Sequence, residues 1–140
     1  MRIIRWLFLM AVCVVLVSCS DTERYTQYIN EQLESHYPSE AEKYEFIVVI
    51  PRQGCHACIQ AVESFFYTTK KEPNYLFIFT RIDSPKKLKL EIGADNLALD
   101  NVRIDKENLF YNPEYYDSNY PLLLHKASDG TFTYQRLSVN

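Results

Sequence analysis

The chain has 140 residues, with 15 Lys or Arg against 18 Asp or Glu and a formal charge of −3. That length is one domain's worth of chain, enough to bury a single core. The acidic balance, with no basic patch interleaved with aromatics, argues against a nucleic-acid partner.

In chain order, "MRIIRWLFLMAVCVVLVSCS" comes first. Arg2 and Arg5 precede an apolar run from Trp6 to Val17. That run is shorter than the roughly 20 residues a membrane span needs and suits the core of a signal peptide. It ends in Leu16-Val17-Ser18-Cys19, which resembles the lipobox of bacterial lipoproteins. The resemblance implies a lipoprotein signal peptide over 1–18, an acyl lipid such as palmitate on Cys19, and a membrane anchor through that residue. The expected location is a bacterial cell envelope, lipid-anchored at the periplasmic face or the outer membrane. The plainer alternative is an ordinary signal peptide with a small-residue cleavage site. Residues 19–43 then hold the lipid attachment site and an N-terminal helix, and 44–140 the main domain.

This partition leaves only a pair of cysteines in the folded domain. Cys13 falls in the signal segment and Cys19 carries lipid, so Cys55 and Cys58 remain. A zinc ribbon needs two such pairs, and the chain has only one.

After Cys19, Tyr25, Tyr28, Ile29 and Leu33 recur at helical spacing. Ser20 or Asp21 is the expected cap, and Pro38 the expected stop. Tyr44–Ile50 is a nearly continuous apolar run rich in β-branched residues, as in a strand buried on both faces. "PRQG" turns the chain into "CHAC", and residues 56–71 read as a helix. Its expected inner face is Ala57, Ala61 and Phe65, with Val62 and Phe66 beside it. Residues 74–80 form a second buried strand, which completes a βαβ unit with parallel strands. Alternating Leu88, Leu90 and Ile92 would equally suit a strand, but Ser84 as cap, Pro85 at the first helical position and Gly93 after the end predict a helix over 85–92. The lysines of "KKLKL" are expected on its solvated face. In 94–119 the expected elements are a short strand at "NVRI" and a short helix around "KENLF". Residues 120–137 read as a hairpin turning at Ser128-Asp129-Gly130, where Asp-Gly favours a tight turn.

The spacing of Cys55 and Cys58 leaves three uses open: a redox pair, an inert structural disulfide, or a metal site. A metal would take both sulfurs and His56, a soft set suited to copper(I). His125 is a poor fourth ligand, and it and His36 are expected to be a plain strand residue and a surface helix residue. Among the aromatics, Phe110, Tyr111, Tyr115, Tyr116 and Tyr120 are expected to pack as core with wet hydroxyls rather than to line a groove. Asp117 and Glu114 are expected to be solvated loop acids.

"IVVIPRQGCHACIQAVESFF" and "NYPLLLHKASDGTFTYQRL" together resemble the thioredoxin-like superfamily: strand, CxxC opening a helix, strand, helix, then a proline leading into a terminal hairpin. The resemblance covers most of 44–136. It implies an α/β fold with a central mixed sheet flanked by helices, CxxC at a helix N-terminus and a C-terminal hairpin. In that family the proline before the third core strand follows a cis bond and faces the dithiol. Here Pro121, preceded by Tyr120, holds that position, and Tyr120's backbone is expected to pair with an extended substrate. The sequence departs from the family pattern in four places, one being a longer stretch between Cys58 and Pro121 than the minimal fold has. The tryptophan before the first cysteine is Gly54, the buried aspartate six residues before it is Val49, and the family's first strand is missing.

The chemistry implied is thiol–disulfide exchange. A thiolate attacks a disulfide, so one cysteine needs a lowered pKa, which a helix N-terminus favours. Cys55 is the expected attacking residue and Cys58 the resolving one, with His56, Tyr120 and Pro121 as modulators. No cofactor and no metal are called for. The expected partners are protein thiol or disulfide substrates on exported proteins and a redox partner the sequence does not identify. The alternative is a thioredoxin-like binding lipoprotein without catalysis, handling copper(I) through Cys55 and Cys58.

Overall fold

The structure, a computed structural model, describes residues 19–137. The signal peptide expected over 1–18 lies outside the described residues.

Helix α1, Asp21–His36, begins at a capping box: Ser20 Oγ accepts from the Glu23 N–H at 3.2 Å, and Glu23 Oε2 accepts from the Ser20 N–H at 3.4 Å. Its stripe of Tyr25, Ile29 and Leu33 is buried. Pro38 does not simply end the helical pattern; it opens a second helix, α2, Pro38–Lys43, at the first turn, where its missing N–H costs nothing. Strand β1 is Phe46–Pro51, followed by α3, His56–Thr69, and β2, Tyr75–Thr80. Next come α4, Pro85–Ile92, capped by Ser84, and a short α5, Ala94–Leu97. Strand β3, Val102–Ile104, a 3-10 turn, Tyr116–Asn119, and strands β4, Leu122–Lys126, and β5, Phe132–Arg136, complete the chain.

The five strands form one mixed sheet in the order β3-β2-β1-β4-β5. β1 runs parallel to β2, and β2 to β3, while β4 is antiparallel to both β1 and β5. The βαβ reading therefore holds. The sheet's far edge, next to β2, is closed by β3, which comes late in the chain.

Both faces of the sheet are covered, which is why β1 and β2 read as continuous apolar runs. Ile47, Val49, Leu76 and Ile78 point to one face, with Tyr25, Ile29 and Leu33 of α1. The alternating Val48, Ile50, Phe77 and Phe79 point to the other, with Val62 and Phe66 of α3 and Leu88 and Ile92 of α4. The inner face of α3 is thus Val62 and Phe66, whereas Ala57 is exposed and Phe65 only borders the core. Each fully buried aromatic of this kind contributes roughly 2–3 kcal/mol.

No helix forms at "KENLF". Asn108 has φ +56, and the carbonyls of Leu109 and Phe110 accept hydrogen bonds, both 2.7 Å, from the Tyr28 and Tyr25 hydroxyls of α1. The hairpin turns through Ser128, Asp129 and Gly130, with Gly130 at φ +86 and Ala127 N–H donating to Thr131 O at 2.7 Å. This is a three-residue loop with glycine in the left-handed position, at the Ser128-Asp129-Gly130 turn expected. No helix of the described residues is long and apolar enough to cross a membrane.

Candidate functional site around the Cys55–Cys58 disulfide

The carboxyl ends of β1, β2 and β3 and the start of β4 lie at one end of the sheet, and the CxxC loop rises from there. Arg52 N–H donates to Thr80 O at 2.9 Å, holding the chain leaving β1 beside the end of β2. Gly54 follows at φ +118, and a Cβ there would stand 3.3 Å from the Asn119 carbonyl oxygen. A side chain at this position would be strained and crowded, which accounts for glycine where the thioredoxin pattern has tryptophan.

Cys55 is the N-cap of α3 and is bonded to Cys58, with 5.2 Å between their Cα atoms. The Cys58 N–H points at Cys55 Sγ, 3.3 Å away. Cys55 is exposed and Cys58 partly buried. A negative charge developing on Cys55 would meet the unpaired N–H groups of the first helical turn.

His56 turns along the helix, with its Nε2 3.3 Å from Gln60 Nε2. Both line a cleft of 430 Å³ between α3 and α4. Arg52, whose side chain is 9% exposed, lies at this cleft with Nη1 2.5 Å from Glu63 Oε1 on α3 and Nη2 2.8 Å from Glu91 Oε2 on α4. Burial works against the Arg52 charge, but the hydrogen bonds and charges of Glu91 and Glu63 outweigh it and hold the guanidinium above its usual pKa. This cluster ties the end of β1 to the CxxC helix and to α4. The sequence carries no signal for it, since its partners lie 11 and 39 positions away.

Pro121 is buried at the start of β4, one residue beyond the Val49–Leu122 pair that joins β4 to the end of β1. No peptide bond among the described residues is cis, so Tyr120–Pro121 is trans, contrary to the expectation from the family. The 3-10 turn leads into it: Tyr120 N–H donates to Asp117 O at 3.1 Å, and Tyr120 enters β4 in extended conformation, φ −109 and ψ 154. The Tyr120 N–H is thereby engaged within the protein rather than free for a substrate strand.

The aromatic residues of 110–120 divide between core and surface. Phe110 is buried and Tyr115 stacks on Tyr25 with 5.0 Å between ring centroids, as expected of core. Tyr116 is 68% exposed, and its hydroxyl lies 2.8 Å from that of Tyr120. The Arg136 guanidinium lies over the Tyr120 ring at 4.2 Å. Asp117 is not a solvated loop acid: it accepts from the Tyr134 hydroxyl at 2.6 Å and pairs with Arg136. Its partial burial raises its carboxyl, but the bonds from Tyr134 and Arg136 and the Arg136 charge prevail and hold it below the usual carboxylate range.

His125 sits exposed on β4, stacked on Phe46 at 4.8 Å, and His36 is exposed in the last turn of α1. Among the described residues, no group of three or more His, Cys, Asp or Glu is arranged to hold a metal ion. Cys19 is an exposed free cysteine one residue ahead of the α1 cap.

Compared with known protein families, curated proteins and solved structures, the chain matches none.

Proposed function

We propose that the protein is a thioredoxin-like thiol–disulfide oxidoreductase of a bacterial envelope, anchored by a lipid on Cys19 and acting on exported proteins. The observation that carries this reading is the exposed Cys55 sulfur at the N-cap of α3, bonded to Cys58 and facing the Cys58 N–H. Supporting it are the βαβ unit, the CxxC at a helix start beyond β1, and the proline leading into a terminal hairpin beside that strand. The lipid anchor rests on the Leu16–Cys19 motif and on the exposure of Cys19.

From the reduced pair, the Cys55 thiolate attacks one sulfur of a substrate disulfide. A Cys55–substrate bond forms, the substrate S–S bond breaks, and the departing thiolate takes a proton from solvent. Cys58 then gives up its proton and attacks the Cys55 sulfur, re-forming the 55–58 bond and releasing the second substrate thiolate. Two electrons pass from the dithiol to the substrate. The same steps reversed oxidise a substrate dithiol, and the partner's potential sets the direction. Val49, buried and apolar, offers Cys58 no base, so solvent reaching the partly buried Cys58 takes its proton.

Cys58→Ser should test this by trapping the intermediate. Mixed with a protein whose disulfides have been scrambled, it should accumulate an adduct through Cys55 on a non-reducing gel. Cys55→Ser should give none. No adduct with either variant would contradict the proposal.

A further inference from the structure

Five arginines fall among the described residues, and four have a carboxylate within 4.0 Å: Arg24, Arg52, Arg103 and Arg136. Arg81 is the exception, and it stands beside the dithiol. Its Nη1 lies 3.9 Å from where a Gly54 Cβ would be, one residue before Cys55, and 3.4 Å from Asn119 Oδ1, two residues before Pro121. The guanidinium carbon lies over the Tyr111 ring, 4.0 Å from its centroid. It therefore stands between the two loops that border the disulfide, held against the Tyr111 ring by a cation–π contact.

The backbone here is held in an uncommon conformation. Arg81 has φ +51, and its N–H donates to Asn108 Oδ1 at 3.0 Å; Asn108 itself has φ +56. Two non-glycine residues in the left-handed region, clasped together, fix the point from which the Arg81 side chain departs. A positioned cation with no carboxylate within 4.0 Å among the described residues is a ready partner for an anion brought from outside.

The geometry points to Arg81 as a specificity-determining residue: it binds a carboxylate of the substrate, on an Asp or Glu next to the cysteine that Cys55 engages. This rests on the exchange reading above and adds the substrate class, an acidic segment flanking the disulfide. The planar fork of guanidinium N–H groups suits a two-pronged bond to the carboxylate, a geometry lysine does not reproduce.

The test is the rate of disulfide exchange of the reduced protein with three peptide disulfides that differ only beside the cysteine: Glu, Gln or Lys. The wild type should prefer Glu over Lys by about five- to tenfold, as one exposed charge-assisted contact gives, mostly through KM. The preference should shrink as salt is raised. In Arg81→Asn, a residue type that tolerates positive φ, the Glu-to-Lys ratio should fall to near one, with Arg81→Lys in between. An unchanged ratio in Arg81→Asn would overturn the proposal. So would an equal fall with all three peptides, because Arg81 would then act on Cys55 and not on the substrate. If the wild type reacts with the Gln peptide but ignores charge, only the Arg81 assignment falls. If it reacts with none of the three, the exchange reading falls and takes this assignment with it.

Discussion

The Cys58 N–H donates to the Cys55 sulfur across 3.3 Å, the bond that an N-cap side chain makes to the third residue of its helix. Here sulfur takes the place of the usual oxygen. One contact thus makes Cys55 both the cap of α3 and the outward-facing member of the pair, while Cys58 sits one turn in.

In the reduced protein this asymmetry predicts selective alkylation. Iodoacetamide should modify Cys55 faster than Cys58, by on the order of tenfold, as exposure and the helix N-terminus both favour. Peptide mapping after brief labelling reads the ratio directly, and equal labelling would contradict the assigned roles.

Gly54 should tolerate no side chain. With φ +118 and the Asn119 oxygen 3.3 Å from a Cβ position, Gly54→Ala should cost roughly 1–3 kcal/mol in urea unfolding. A cost below half of that would mean the loop relaxes and does not depend on glycine.

The Arg52 cluster should behave as a structural tie. Arg52→Ala removes the cation between two partly exposed glutamates and should destabilise the fold by about 2–3 kcal/mol. In a double-mutant cycle, Glu63→Gln should cost much less in the Arg52→Ala background than alone. Additive costs would show that the two residues do not act together.

Asp117 gives a pH signature. Its carboxyl is held below its unfolded value, near 3.9, so the stabilisation is present above about pH 4 and is lost as pH falls through the lower, folded pKa. Asp117→Asn should therefore be less stable than wild type at neutral pH, with the gap closing below pH 4 in acid titrations followed by tyrosine fluorescence. A gap that stays constant to pH 2 would mean the ionised carboxylate is not what stabilises.

Some features of this molecule are legible in the sequence because local chemistry decides them. The cap of α1 at Ser20, one of the two candidates there, the Ser84-Pro85 start of α4, and the double-sided burial of β1 and β2 all follow from neighbouring residues. So does Cys55 at a helix start. What the sequence hides depends on contacts made across the chain. Local pattern predicts a helix at "KENLF", but Tyr25 and Tyr28, more than 80 positions away, take its carbonyls. Asp117 reads as a loop acid until Tyr134 and Arg136 arrive from β5. The left-handed conformation of Arg81 has no sequence signature, since arginine is not a residue that asks for it. The trans bond at Pro121 departs from expectation at the site itself, where the 3-10 turn of Tyr116–Asn119 delivers Tyr120 into β4 already extended.

The central claim, that Cys55 and Cys58 cycle between disulfide and dithiol, is tested most directly by the reduction potential of the pair in residues 20–140, equilibrated with glutathione. An exchange catalyst should give a value between about −270 and −120 mV, the span of known thiol–disulfide enzymes. A pair still oxidised below about −300 mV would be a structural disulfide, and the exchange mechanism would be wrong.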